Sequence, residues 1–161
     1  MRIFHRKQTR QLLIYVLGLL FSLILSGCAL QKAHKLKVRA DYGRTQADDP
    51  QAQAQAIDDY NQALALYDAR GKTEEVAQIN TVLAEMLMDD EPAKARTHWL
   101  KAGFAWEKED KLQQAHDAYQ QWYRSFHDQD YPEKDLEEIL LRLEKLAIRM
   151  MNYEQQFQWV A

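Results

Sequence analysis

The chain of 161 residues is poor in the residues that interrupt or cross-link a fold, with one cysteine, five glycines and three prolines. A single cysteine excludes an intramolecular disulfide, so a folded domain has to be stabilised by a packed apolar core. The scarcity of glycine and proline, together with abundant Ala, Leu, Gln, Glu and Lys, favours helices over most of the chain. No stretch shows a strand pattern that competes with this prediction.

The sequence also lacks the motifs of common catalytic and metal sites. It has no Cys-x2-Cys or His-x3-His spacing, no glycine-rich phosphate loop and no Gly-x-Ser-x-Gly elbow. Ser125 is the one serine after Cys28, and no base is placed near it in the sequence. We therefore predict that the protein is not an enzyme, and we expect no catalytic residue, metal site or cofactor.

The N-terminal segment has the three parts of a secretory signal peptide. A charged head is followed by fourteen mostly apolar residues, Leu12 to Leu25, and then by small residues ending at Cys28. The apolar run is short for a bilayer span, which needs about 20 residues. The positive charges of the head are Arg2, Arg6, Lys7 and Arg10.

The tetrapeptide Leu25-Ser26-Gly27-Cys28 resembles the lipobox of bacterial lipoproteins. The resemblance implies that the Cys28 sulfur receives a diacylglyceryl group, that residues 1–27 are removed, and that the new amino terminus is acylated. Ala29 stands where an aspartate signals inner-membrane retention, so the expected location is the outer membrane, facing the periplasm. Two alternatives stay open: a buried cysteine behind an uncleaved membrane anchor, and a chance match.

Removal of residues 1–27 leaves 134 residues, a size suited to one domain, and lowers the formal charge from −3 to −7. An acidic domain is a poor candidate for binding nucleic acid or anionic headgroups, because both need clustered Lys and Arg. Residues 28–50 lack a sustained apolar period, and we interpret them as a lipidated N-terminus and tether. Residues 51–161 are predicted to form a helical domain.

Apolar residues recur at steps of three and four along this domain, which is typical of amphipathic helices. The pattern predicts five helices joined by short loops, so that neighbours are antiparallel. Asp49 is the expected N-cap of the first of them, with Pro50 in its first turn. The predicted spans are 51–70, 73–88, 93–109, 112–126 and a long helix after Pro132 that reaches Met150.

The third and fourth predicted helices resemble a tetratricopeptide repeat, a helix–turn–helix unit of about 34 residues. The resemblance rests on Trp99, Ala102-Gly103, Trp106, Leu112, Ala115, Tyr119 and Trp122. The first two helices match more loosely, and Gly71 and Asp110, 39 residues apart, occupy equivalent turns. The fold implied is all-α, with helical hairpins stacked as a short tetratricopeptide-like solenoid and a C-terminal capping helix. An irregular helical bundle with an aromatic core is the alternative.

In stacks of this family the first helix of each hairpin lines a concave groove that accepts peptides or helices. Leu100 and Phe104 lie one turn apart on a face that Trp99 and Trp106 do not share, which suits an anchor for a partner. Packing against the first hairpin explains the same two residues. Carried over residue by residue, the expected groove consists of Asp58, Asn61, Ala65, Asp68, Thr97, Leu100, Phe104, Glu107 and Lys108.

These features together indicate a membrane-anchored adaptor that binds envelope proteins and assembles or positions a complex. Similar architecture occurs in type IV pilus pilotins and in adaptors that dock murein enzymes. The alternatives are an enzyme or accessory subunit acting on cell-wall or polysaccharide substrates, and a structural membrane-to-wall spacer. A stack this short also leaves open a homodimer. The aromatics of the tail, residues 152–161, are expected to fold back onto the stack, and the alternative is that they form a contact surface for a partner.

Replacing the predicted lipid-bearing residue tests the anchor. Cys28→Ser removes the sulfur that the acyl chain needs, so we expect acyl labelling in cells to be lost and the chain to stay unprocessed. Metabolic labelling with a palmitate analogue and the mass of the isolated protein measure both effects. Labelling that persists in the serine variant would refute the anchor.

Overall fold

The computed structural model describes the backbone of residues 27–126 and 133–158 and the side chains of residues 27–126 and 136–151. Residues 1–26 of the predicted signal peptide, the Pro132 restart and the tail aromatics lie outside the described side chains. The described part is all-helical. Its first helix, α1, occupies residues 27–44. The others are α2 (Pro50–Asp68), α3 (Thr73–Leu87), α4 (Pro92–Lys108), α5 (Leu112–Arg124) and α6 (Glu133–Gln158).

The predicted helices are confirmed, with ends that differ by a few residues. Asp49 caps α2 as expected, because its carboxylate accepts the backbone N–H groups of Gln51 at 2.9 Å and of Ala52 at 3.1 Å. Each helix from α2 to α5 packs against the next one in the chain. No helix in the described ranges is long and apolar enough to cross a bilayer.

The structure corrects the prediction for residues 28–50. They were interpreted as a tether, whereas most of them form helix α1, which packs on the domain. Ala33, Leu36 and Ala40 are buried in one cluster with Ala56 and Tyr60 of α2. Two of the three α1 residues are alanines, which contribute little to a hydropathy pattern but let two helix backbones approach closely. Loop residues 45–49 are therefore the non-helical part of the predicted tether.

Polar contacts hold α1 on α2 in addition to the alanines. Arg39 of α1 forms a bidentate ion pair with Asp59 of α2, whose side chain is buried. This pair lowers the pKa of Asp59 against the opposing effect of burial. Its stabilisation is present above the aspartate pKa of the unfolded chain and is lost as the pH falls through the lower pKa of the folded chain. The Tyr60 hydroxyl also donates to Asp41 at 2.5 Å.

The turns within the two hairpins, α2–α3 and α4–α5, have the same geometry. Gly71 has φ of 61° and Asp110 has φ of 57°. In each turn the next residue, Lys72 or Lys111, donates its N–H at 3.0 Å to the carbonyl of Tyr67 or Trp106. This six-to-one bond and the left-handed residue define a Schellman ending. Asp110 thus takes the left-handed conformation that Gly71 adopts in the first hairpin.

Burial repeats with the same interval of 39 residues. Tyr60 and Trp99 occupy equivalent places in α2 and α4, as do Tyr67 and Trp106, and all four are buried. An irregular bundle would have no reason to keep this register, so the two hairpins are stacked copies of one unit. The other equivalent buried pairs are Ala56 with Ala95, Ala63 with Ala102, Ile79 with Ala118, Asn80 with Tyr119, Leu83 with Trp122, and Leu87 with Phe126.

Helices α4 and α5 meet most closely at Gly103. A Cβ atom built there would overlap the ring of Tyr119, which is fully buried. In the first hairpin the residues equivalent to Gly103 and Tyr119 are Leu64 and Asn80. The larger side chain of the pair is therefore on the second helix, α5, in the second hairpin and on the first helix, α2, in the first hairpin.

Helix α6 closes the stack at its C-terminal end. Ile139 and Leu146 are buried in the core cluster of α4 and α5. The outer face of α6 is not the polar face expected of a capping helix, because Leu140, Leu141 and Met151 are 47%, 49% and 56% exposed. The cap therefore shields the aromatic core while leaving an apolar surface of its own.

The Gly103–Tyr119 contact makes a prediction about stability. In a helix, alanine is about 1 kcal/mol more favourable than glycine, whereas overpacking a core costs about 1–3 kcal/mol. We expect Gly103→Ala to lower the free energy of unfolding by up to about 2 kcal/mol, as measured by urea denaturation. In a Tyr119→Ala background the clash is gone, and the same substitution should stabilise by about 1 kcal/mol. Equal destabilisation in both backgrounds would contradict the contact.

Candidate functional site

The two hairpins enclose a groove of about 620 Å³ between α2 and α4, with the start of α3 as its third side. A groove of this volume lies in the range of sites that accept a ligand or a short peptide segment. It forms because α2 and α4 are the equivalent first helices of two stacked hairpins. The lining residues are Asn61, Leu64, Ala65, Asp68, Gly71, Lys72, Thr73, Val76, Asn80, Lys101, Phe104, Ala105 and Lys108.

The groove combines apolar walls with a mostly positive edge. Its charged residues are Asp68 and three exposed lysines, Lys72, Lys101 and Lys108. The side-chain ammonium groups of these lysines make no hydrogen bond or ion pair to any other described residue. Their ammonium groups are therefore solvated and available to a partner. The apolar side chains come from α2 with Leu64 and Ala65, from α3 with Val76, and from α4 with Phe104 and Ala105.

Phe104 is the aromatic residue of the groove, and its ring is held in place. It makes an edge-to-face contact with Tyr119, with ring centroids 5.7 Å apart. The guanidinium carbon of Arg142, in α6, lies 4.7 Å from the Phe104 ring centroid. The side chain remains 40% exposed. Because its neighbours already restrain it, the ring would lose little rotamer entropy on contact with a partner.

Asn80 lies at the base of the groove and is almost completely buried. Its amide donates to the carbonyl of Val76 at 2.8 Å, and its carbonyl oxygen lies 2.8 Å from Nδ1 of His98. Since that oxygen can only accept, Nδ1 of His98 carries the proton. Burial and, to a smaller extent, Lys101 lower the pKa of His98 and favour the neutral ring. The pair fixes α3 to α4 below the groove.

Five of the nine residues expected at the groove line it: Asn61, Ala65 and Asp68 on α2, and Phe104 and Lys108 on α4. They share one side of their helices, facing the neighbouring hairpin.

Four other residues expected at the groove lie elsewhere. Leu100 is half-buried and packs against the core cluster, which was the alternative explanation of this residue. Asp58 is exposed and accepts from Gln62 at 2.7 Å. Thr97 is also exposed, and its hydroxyl donates to the carbonyl of Ala93 within α4.

Glu107 is the fourth expected residue that does not line the groove, and it links three helices. Its carboxylate accepts the Tyr119 hydroxyl of α5 at 3.0 Å and the Arg142 guanidinium of α6 at 2.9 Å. Burial, followed by the charge of Glu107, raises the pKa of Tyr119, so the phenol stays protonated and keeps donating. This network supports Phe104 from below and connects the groove to the capping helix.

Sequence reasoning missed eight lining residues, which are Leu64 on α2, Gly71, Lys72, Thr73, Val76 and Asn80 on the α3 side, and Lys101 and Ala105 on α4. The family resemblance pointed only to first helices, whereas the Schellman turn at Gly71 brings the start of α3 to the groove. That turn was visible in the sequence and is the signal that could have identified Lys72 and Thr73.

The chemistry of the groove is that of a binding surface. Its charged groups are ammonium groups and one carboxylate, and no general base is hydrogen-bonded to a nucleophile there. Within the described side chains, no three His, Cys, Asp or Glu residues come together to hold a metal ion. Apolar contact, amide hydrogen bonds and ammonium charge are what the lining residues offer.

Comparisons with protein-family models, with curated proteins and with solved structures found no match to this chain.

Proposed function

We propose that the protein is a lipid-anchored adaptor on the periplasmic face of a bacterial outer membrane, which binds an envelope protein in the groove between α2 and α4. The anchor is the acylated Cys28 that the lipobox-like sequence implies. The role is to hold a partner at the membrane while a complex is assembled or positioned. The acyl chains of such an anchor keep a protein on the membrane durably, because each buried methylene adds about 0.8 kcal/mol.

The observation that supports this proposal is the restrained, partly exposed ring of Phe104 beside the unpaired Lys101 and Lys108. Aromatic side chains in well-packed surroundings contribute most of the binding energy at many protein interfaces. The lysines add charge that steers and orients a partner without requiring desolvation. Such a surface suits recognition of a peptide segment or helix.

The groove also explains why the hairpins are stacked in register. A concave surface between equivalent helices is how helical-repeat proteins bind their partners. Asn61 is exposed and adds an amide oxygen that can accept a hydrogen bond from a backbone N–H in the groove. The small side chain of Ala65 leaves space in the groove for a partner.

Filling the groove tests this function. Ala65 is exposed and lines the groove, so Ala65→Arg should block the partner without disturbing the core. We expect the yield of a partner crosslinked in intact envelopes to fall at least tenfold. Ala54→Arg is the matched control, because Ala54 is exposed on the same face of α2 three turns earlier and does not line the groove.

Both variants should keep the far-ultraviolet circular dichroism and the acylation of the parent protein. Leu100 is unsuitable for this test, since a charge there would enter the core. If the folded, acylated Ala65→Arg protein is crosslinked to the same partners in the same yield, the proposal that a partner binds in this groove is wrong.

A further inference from the structure

Helix α1 presents one exposed face that begins at Cys28. At 100° per residue, Cys28, Lys32, Lys35, Arg39 and Tyr42 fall within an arc of about 80°. All five are exposed. The cysteine and the cations that follow it therefore point to the same side of the helix.

The direction of this face is fixed relative to the rest of the domain. The buried residues of α1, Ala33, Leu36 and Ala40, lie on a side about 110° away and pack on α2. Arg39 reaches from the edge of the exposed face to Asp59 on α2. Rotation of α1 would break these contacts, so an anchor on Cys28 orients the whole helical domain and not only its first helix.

The face is basic even though the chain as a whole is acidic. From residue 28 to residue 40, α1 has four Lys or Arg residues and no acidic residue. Two of the four are paired, Lys37 with Asp41 and Arg39 with Asp59. Lys32 and Lys35 have no ion pair to any residue that the structure describes. The pKa of Arg39 is raised mainly by its hydrogen bond to Asp59 and, to a smaller extent, by the charge of the exposed Asp58 on the same neighbouring helix.

Apolar groups border the same face. Tyr42 is 70% exposed and Val38 is 52% exposed, on the side of α1 away from α2. A tyrosine combines an apolar ring with a hydroxyl that can stay hydrated, which suits the boundary between headgroups and acyl chains. Exposed lysines with an aromatic residue alongside are the composition of helices that lie in a membrane interface.

We infer that the face of α1 formed by Cys28, Lys32, Lys35, Arg39 and Tyr42 lies against an anionic phospholipid surface, so that the domain is seated on the membrane by its first helix. This inference rests on the proposed anchor at Cys28. The acyl chains supply the affinity, and the lysines select the orientation. Each lysine near an anionic surface is worth about fivefold in a binding equilibrium.

The test uses the full, processed protein reconstituted in vesicles of phosphatidylethanolamine with phosphatidylglycerol. Because Cys28 is the one native cysteine and carries the lipid, an introduced cysteine is a unique labelling site. Val38→Cys places a fluorophore at the edge of the α1 face, and Gln121→Cys places it on the exposed side of α5. Lipids with a nitroxide in the headgroup quench a fluorophore that lies at the membrane surface.

We expect strong quenching at position 38 and little at position 121. Lys32→Glu combined with Lys35→Glu should reduce the quenching at position 38 to the level of position 121, as should replacing phosphatidylglycerol with phosphatidylcholine. Equal quenching at the two positions in anionic vesicles would overturn the inference. So would quenching at position 38 that is unchanged by the glutamates and by neutral lipid, because the anchor alone would then explain it.

The mass of Cys28 in the same samples separates this inference from the proposed function. An acylated protein that shows no selective quenching refutes the seating of α1 and leaves the adaptor proposal intact. A Cys28 without lipid overturns both the anchor and the orientation that depends on it.

Discussion

The ring of Tyr119 occupies the space left by the missing side chain of Gly103, and the second hairpin and its cap depend on this contact. From that position the ring contacts Phe104, and its hydroxyl donates to Glu107. Glu107 in turn holds Arg142 of α6. One buried residue thus connects α4, α5 and α6. Because tightly packed interiors shift little, the positions of these side chains are set together.

The groove is the outcome of this packing repeated at a fixed interval. Two hairpins of the same design place α2 and α4 side by side, and the turn at Gly71 adds the start of α3 as a third side. Phe104 is held from behind by Tyr119 and Arg142, so it can remain partly exposed without moving freely. The functional proposal therefore rests on how the hairpins pack and not on a catalytic constellation.

Much of the fold was predictable because helices α2 to α5 follow a strong 3.6-residue period and end at glycine, aspartate or proline. The packing of α1 on α2 was not predictable, because the buried Ala33 and Ala40 contribute little to a hydropathy pattern. For a related reason, only five of the thirteen residues that line the groove were predicted. A helical period indicates which face of α4 bears Leu100 and Glu107. It does not show whether that face borders an open groove or packs against a neighbouring helix. The acidic net charge of the chain likewise gives no sign of the basic face of α1.

The most direct measurement of the central contact is the proton nuclear magnetic resonance spectrum of Gly103. The ring current of a ring packed on this residue displaces the chemical shifts of its α-protons, and nuclear Overhauser cross-peaks join these protons to the aromatic protons of Tyr119. The account predicts both effects in the folded protein. Gly103 α-protons at the chemical shift of a solvent-exposed helical glycine, with no cross-peak to Tyr119, would contradict it.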